Sequence, residues 1–232
     1  MEAIILAGGF GTRLQTVVAD VPKPMAPIAE TPFLSYLLNY LYKYEVRRVI
    51  LSTGYLSDKI YNYYGDSFKG NMELIYSVEQ EPLGTGGGVL QALKHTTSDN
   101  CFIINGDTFF DVDLQKMMHQ HNETIADMTI ALKPMYDFDR YGTIELEQNR
   151  VVAFQEKQPT DKGYINGGIY ILNKDLLETF NLGPKFSLEA DFLQKHYKVV
   201  DIRGFISSKY FIDIGIPEDY YRAQSELIKY GE

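Results

Sequence analysis

The chain is short of basic residues. It carries 22 lysines and arginines against 31 aspartates and glutamates, a formal net charge of −9 and a pI of about 5.0. That balance argues against a nucleic-acid-binding surface. A phosphorylated ligand must then be met by a few cations that converge locally. Cysteine is almost missing. Cys101 stands alone, so no internal disulfide can form, and within the apolar run Cys101-Phe102-Ile103-Ile104 it reads as a small core residue rather than a nucleophile. Long apolar runs are also missing, because charged or polar residues interrupt each one, and no membrane contact is expected. The N-terminus shows neither a basic n-region nor a small-residue cleavage site, so the expectation is a cytoplasmic protein without a secretory signal. Only four histidines occur (His95, His119, His121 and His196), and none fits a motif. His119 and His121 are two apart on an expected helix and face different directions. Low-complexity segments, repeats and linkers are absent. What is present is ordinary for a globular chain: 232 residues, 45% hydrophobic and 23% charged, enough for one domain of residues 1–232 with a large core.

The first half alternates two kinds of segment. Ala3–Leu6, Arg48–Thr53, Leu74–Val78 and Cys101–Asn105 are short apolar runs that read as buried strands. Between them, Phe33–Tyr44, Ser57–Tyr64, Gly88–Lys94 and Leu114–His121 show helical spacing. Such alternation predicts an α/β fold, Rossmann-like, with a mostly parallel central sheet and helices on both faces. Ligands of open sheets of this type bind beyond the carboxyl ends of the strands. From Asp127 the pattern changes. Met128–Leu132, Tyr141–Glu147, Val151–Glu156 and Gly163–Leu172 read as strands with little helix between them, predicting a small antiparallel extension. A helix (Leu188–Lys195), a strand (Val199–Arg203), an apolar turn (Tyr210–Ile214) and a last helix (Glu218–Lys229) complete the chain.

Leu6-Ala7-Gly8-Gly9-Phe10-Gly11-Thr12-Arg13-Leu14 follows the first strand directly. Glycines let backbone N–H groups approach a ligand, and successive N–H groups form a concave anion site. Glycine alone would equally suit a tight strand-to-helix turn. A dinucleotide loop would need a third glycine where Leu14 stands, and a P-loop would need a Gly-Lys pair, which the chain lacks. Downstream, prolines flank Lys23 in Pro22-Lys23-Pro24-Met25, which disfavours helix and fixes one ammonium group in an extended segment. A glycine turn, an arginine and a proline-clamped lysine together suit a triphosphate. The run Leu6–Ile28 resembles the signature of sugar-1-phosphate nucleotidyltransferases, whose nucleotide-diphospho-sugar transferase fold matches the pattern above. Thr16 departs from it, where many members carry proline. The resemblance implies that Leu6, Ala7, Gly8, Gly9, Gly11, Thr12 and Arg13 hold the nucleotide, with Arg13, Lys23 and Asp107 catalytic. Residues 1–126 would then be mainly the nucleotide part and 127–232 mainly the sugar-phosphate part.

Two aspartates matter next. Asn105-Gly106-Asp107 ends the fourth expected strand, and Asp213 lies in Asp213-Ile214-Gly215-Ile216-Pro217-Glu218-Asp219. A single aspartate is usually a turn former or helix cap. Both positions, however, match family motifs whose carboxylates bind Mg²⁺. Nucleophile and target are both phosphate anions, and two charges about 4 Å apart repel by about 4 kcal/mol at an effective dielectric of ~20. A divalent cation offsets that repulsion. Asp111, Asp113, Glu218 and Asp219 read as solvated or capping. On the acceptor side, Glu156-Lys157 resembles the segment that holds the sugar phosphate, although alone it is an exposed charge pair. Asn166-Gly167-Gly168 and Tyr141-Gly142 resemble sugar-contacting turns, while strand glycines otherwise suggest bulges. Glu79 and Pro82-Leu83-Gly84-Thr85 resemble the segment that approaches the base; the glycines could equally open a helix. These runs, with Phe186–Phe192 and the chain length, look most like guanylyltransferases for mannose or heptose 1-phosphates, the D-glycero-D-manno-heptose members above all. Uridylyl and cytidylyl transfer stay open.

The implied substrates are a nucleoside triphosphate and a sugar 1-phosphate, and the implied cofactor is Mg²⁺. No nucleic acid is expected as a partner, and a homo-oligomer stays open. The implied chemistry is an in-line displacement in which an anionic phosphate oxygen needs no general base. Relatives with a left-handed β-helix continue beyond this length, so the transferase core alone is expected. Two rivals belong to other classes. A nicotinamide-dependent dehydrogenase has only a strand followed by glycines in its favour. A non-catalytic nucleotide-sugar sensor would not need Arg13, Lys23, Asp107, Lys157 and Asp213 together.

Overall fold

The computed structural model describes residues 1–9, 18 and 21–231. The predicted loop residues Gly11, Thr12 and Arg13 lie outside the described residues. The N-terminal half runs β1 (Glu2–Leu6), β2 (Pro27–Ile28), β3 (Thr31–Pro32), α1 (Phe33–Lys43), β4 (Arg48–Thr53), α2 (Ser57–Tyr64), β5 (Ser67–Phe68), β6 (Met72–Val78), α3 (Gly84–Leu93), β7 (Asn100–Asn105), β8 (Thr108–Phe110) and α4 (Leu114–Thr124). Four long strands follow or return: β9 (Met128–Phe138), β10 (Thr143–Glu147), β11 (Arg150–Gln155) and β12 (Thr160–Asn173). After a π-helical stretch, Leu188–Leu193, come α5 (Gln194–His196), β13 (Ile202–Ile206), β14 (Phe211–Asp213) and α6 (Pro217–Glu226).

One ten-stranded sheet, ordered β10-β11-β13-β9-β12-β7-β1-β4-β6-β5, carries the architecture. β7, β1, β4 and β6 are parallel, as the strand–helix alternation requires. The antiparallel strands expected after Asp127 continue this same sheet: β12 pairs antiparallel with β7 on one side and with β9 on the other. Alternate side chains of β1 serve opposite faces. Ala3 and Ile5 join the core shared with α1, α4 and α6, while Ile4 joins the core shared with α3 and Phe192. Each such fully buried isoleucine contributes about 1.5–3 kcal/mol. Cys101 sits in the second core, and burial pushes its thiol up, which fits an inert packing residue. Among the described residues no helix is long and apolar enough to cross a membrane.

Several elements differ from the sequence expectation. α3 begins at Gly84 rather than Gly88, and the Leu188 helix opens in π geometry. Strand β13 lies three residues later than expected. The apolar turn at Tyr210–Ile214 contains a strand, β14, which pairs antiparallel with β8 in the register Asp213↔Thr108. Three residues are too few to show a period in sequence; the partner strand decides the conformation.

Candidate active site

The carboxyl ends of β1 and β7 lie side by side, and the chain passes between them at the limit of close approach. Gly106 N–H donates to the Leu6 carbonyl at 3.0 Å, and a Cβ on Gly106 would stand 2.3 Å from that oxygen. Only glycine fits. Beyond these strand ends is a cavity of about 300 Å³. Its lining includes Leu6, Ala7, Gly8, Gly9, Lys23, Glu79, Gly84, Thr85 and Asp107 from the expected site, together with Pro24, Pro82, Asn105 and Gly106. A larger open depression of about 850 Å³, lined by Arg150, Tyr197 and Arg203 among others, shares no residue with it.

Lys23 reaches this cavity from one turn of 3-10 helix, Lys23–Met25, rather than from the extended segment expected. Pro22 is extended at ψ 148°, and Pro24 sits in the first turn, where its missing N–H costs nothing. The Lys23 ammonium donates to Asp107 Oδ2 at 2.5 Å, with the lysine side chain only 11% exposed. Asp213 arrives through β14. Ile214 N–H donates to the Asp107 carbonyl at 2.9 Å, and Asp213 Oδ1 accepts from Gly215 N–H at 2.7 Å. A Cβ placed on Gly215 would meet Asp213 Oδ1 at 2.7 Å and Lys23 Nζ at 3.0 Å. Lys23, Asp107 and Asp213 therefore form one cluster, built from three distant parts of the chain. No group of three or more histidines, cysteines or carboxylates poised around a metal occurs among the described residues.

Glu79 closes the cavity floor. Its carboxylate accepts from Leu83 N–H at 3.0 Å and from the Ser52 hydroxyl at 3.3 Å. Cβ atoms on Gly8 and Gly88 would press to 2.9 and 2.8 Å from Glu79 Oε1. The glycine run Gly84–Gly88 has a second cause that the sequence did not disclose. The segment ending at Phe186 crosses the start of α3, and the Phe186 carbonyl accepts from Gly86 and Gly87 N–H at 3.0 and 3.3 Å.

The residues expected on the acceptor side are placed as follows. Glu156 and Lys157 are exposed in the turn after β11. Gly142 packs against that strand's end, where a Cβ would meet the Gln155 carbonyl at 2.4 Å. Gly167 makes room for the Phe110 ring, since a Cβ there would lie 2.3 Å from it. Asn166 Nδ2 donates to the Tyr170 hydroxyl at 2.8 Å, and Tyr170 donates to Glu189 at 3.1 Å. Glu189 also accepts from Thr85 at 2.8 Å, so a polar chain links Asn166 to the cavity wall. Neither Tyr170 nor Glu189 was singled out in the sequence, because their hydrogen bonds join a strand, a π-helical stretch and α3 from distant parts of the chain. Tyr141 lines a second cavity of about 290 Å³, which Asp213 also borders.

Of the acidic residues read as solvated or capping, Asp113 caps α4 through Lys116 N–H at 3.0 Å, and Asp111 pairs with Lys209 at 3.3 Å. Asp219 departs from the expectation. It is 3% exposed and ion-paired to Arg140 at 2.5 Å and Arg222 at 3.0 Å, which allows its burial. His121 is buried against the Thr129 hydroxyl at 2.8 Å, whereas His119 is exposed beside Glu123.

The nucleotidyl transferase family profile matches residues 2–229. The chain belongs to that family. It is 54% identical over 230 residues to the D-glycero-α-D-manno-heptose 1-phosphate guanylyltransferase of Aneurinibacillus thermoaerophilus, covering 99% of this chain and 100% of the relative. It is 48% identical to the protein of the same name from Campylobacter jejuni, over 95% of this chain and 97% of the relative. Among solved structures, HddC from Yersinia pseudotuberculosis superposes with a TM-score of 0.87 at 39% identity, over 97% of this chain and 98% of that one, and it has also been solved in complex with GMP-PN. The expected fold and family stand, and the chain is a nucleotidyltransferase.

Proposed function

We propose that this nucleotidyltransferase moves a guanylyl group from GTP to D-glycero-α-D-manno-heptose 1-phosphate, forming GDP-heptose and pyrophosphate in the cytoplasm. The observation that carries the reading is the convergence of Lys23, Asp107 and Asp213 beside the cavity at the strand ends. Relatives of nearly the same length that bear the heptose guanylyltransferase name support the choice of substrates.

A sugar 1-phosphate oxygen attacks the α-phosphorus, and the bond to the pyrophosphate oxygen breaks. The attacking oxygen is already anionic near neutral pH, so the chain has to position and neutralise rather than deprotonate. Lys23, held by the 3-10 turn and by Asp107, directs its ammonium at the α-phosphate oxygens. Arg13 and the loop N–H groups take the remaining triphosphate charge. Asp107, just before β8, and Asp213, at the end of its partner strand β14, are a hard, oxygen-only donor pair that would hold Mg²⁺. Held by these two carboxylates, Mg²⁺ would supply charge neutralisation at the α-phosphate. Lys157 holds the acceptor phosphate, while Tyr141, Gly142, Glu156, Asn166 and Gly167 form the sugar side.

Guanine presents N1–H and N2–H donors, and the Glu79 carboxylate in the cavity wall retains lone pairs beyond those used by Leu83 and Ser52. The two adjacent donors set guanine apart from uracil and thymine, whose single N–H is flanked by carbonyls that a carboxylate repels, and from adenine and cytosine, whose amino group adjoins a ring acceptor. The test is pyrophosphate release with heptose 1-phosphate and each of GTP, UTP, CTP, ATP and dTTP. GTP should support release and the others little or none. Equal or better release with UTP or CTP would overturn the assignment of the base.

A further inference from the structure

Arg150 and Arg203 stand directly opposite each other on the neighbouring antiparallel strands β11 and β13. Like charges in that position repel, and a sheet ordinarily avoids them. Asp201 answers the pair in part. Its Oδ2 accepts from Arg203 Nε and Nη2 at 3.1 and 3.0 Å, and its Oδ1 lies 3.5 Å from Arg150 Nε. One carboxylate cannot balance two guanidiniums. Among the described residues, no hydrogen bond uses the two terminal nitrogens of Arg150 or Nη1 of Arg203. The backbone fixes this pair of strands. Gln148 and Asn149, with φ of 48° and 65°, make the tight left-handed turn that delivers Arg150, and the Asn149 carbonyl accepts from Gly204 N–H at 2.8 Å.

The open depression of about 850 Å³ is lined by both arginines, by Lys198 and by Tyr197. The Tyr197 ring meets Phe154 edge-on at 5.7 Å between centroids, and Lys198 Nζ lies 5.8 Å from the centre of the tyrosine ring. Glu147 is the one carboxylate among the lining residues. Lys23, Asp107, Asp213 and Lys157 are all absent from this lining. In a chain of net charge −9, the depression gathers a local excess of positive charge on a concave surface of the size that ligand sites have.

We infer that this depression binds a polyphosphate anion, a nucleoside di- or triphosphate or free pyrophosphate, at a site apart from the reaction centre. Guanidinium forks match phosphate oxygens in bidentate pairs, and two forks with an ammonium suit more than one phosphate group. Asp201 holds both guanidiniums in place without filling their forks, so little ordering is left for the ligand to impose. The site does not depend on which nucleotide or sugar the reaction centre takes.

Labelling of arginines by phenylglyoxal, mapped residue by residue by mass spectrometry, tests this on the whole chain. Near saturation, pyrophosphate and GDP should each slow labelling of Arg150 and Arg203 by about tenfold and leave Arg47 unchanged. Inorganic phosphate at the same concentration should protect far less. Lys198 is exposed, so Lys198→Gln leaves the fold intact. It should raise the pyrophosphate concentration for half-protection by about tenfold, the scale of one charge-assisted hydrogen bond. Arg150→Gln, read through Arg203, should do the same. A GDP midpoint equal to that of pyrophosphate would support the site with the phosphates alone being held, and a lower one would support it with the nucleoside against Tyr197. Labelling that ignores pyrophosphate, protection that is the same in Lys198→Gln, or protection by inorganic phosphate as strong as by pyrophosphate would each overturn the inference.

Discussion

Position 84 cannot carry a side chain without moving the chain opposite it. Gly84 has φ +75°, and a Cβ there would stand 2.6 Å from the Phe186 carbonyl oxygen. Left-handed backbone and a backbone clash add together, so Gly84→Ala should lower stability by about 1–3 kcal/mol, read as a fall in melting temperature. It should also raise KM for GTP, because Gly84 lines the cavity. A variant that melts with the wild type would contradict the close packing of Phe186 on α3. Lys23 and Asp107 present the opposite case, where side-chain chemistry matters more than shape. Each carries a charge that the other balances at 2.5 Å, and on the proposed function each would meet a phosphate or its counterion. These residues were legible in the sequence because proline, lysine, glycine and aspartate stood at family spacing. Asp219 was not legible, because the sequence shows an acidic residue at a helix start and not the two arginines that allow its burial.

At the scale of elements, the parallel half of the sheet was readable from apolar runs such as Val49–Leu51 and Phe102–Ile104, which are buried on both faces. The start of α3 was expected four residues late, at Gly88, since the run Gly84–Gly88 has poor helix propensity. Those glycines are there for their neighbours: a Cβ on Gly86 would stand 2.1 Å from the Phe186 ring, and one on Gly87 would stand 2.3 Å from the Pro184 carbonyl. Tertiary contact overrides propensity at that point. At the other end of β1, Glu2 ties three elements together. It accepts from Arg48 at 2.7 Å and from the N–H groups of Thr97 and Ser98 at 2.8 and 2.6 Å. Burial alone would raise this carboxyl, but the N–H groups and Arg48 outweigh it and bring it from 4.5 down to about 2. The unfolded chain therefore takes up the proton first. The stabilisation from Glu2 is complete above pH 4.5 and is lost as pH falls toward 2. In acid titration of stability, Glu2→Gln should flatten the fall across that window and be less stable than wild type at pH 7. An unchanged slope would contradict the role given to this carboxylate.

For the molecule as a whole, one sheet carries both the part expected to hold the nucleotide and the part expected to hold the acceptor, with β12 joining β7 of the first to β9 of the second. The order of strands brings one lysine and two aspartates together beside the cavity. Lys23 follows β1, Asp107 follows β7, and Asp213 ends a three-residue strand laid against β8. That last pairing is the part of the site the sequence could not show, because it joins residues about a hundred positions apart through a strand too short to have a pattern. On the proposed function, this strand pair assembles one reaction centre from Asp107 and Asp213. The most direct measurement is turnover of GTP and heptose 1-phosphate by Asp107→Asn and Asp213→Asn, each alongside its thermal melt. Both should lose roughly 10³-fold in kcat, as for removal of a main charge-stabilising group, while melting close to the wild type. Near-normal turnover in either folded variant would contradict the claim.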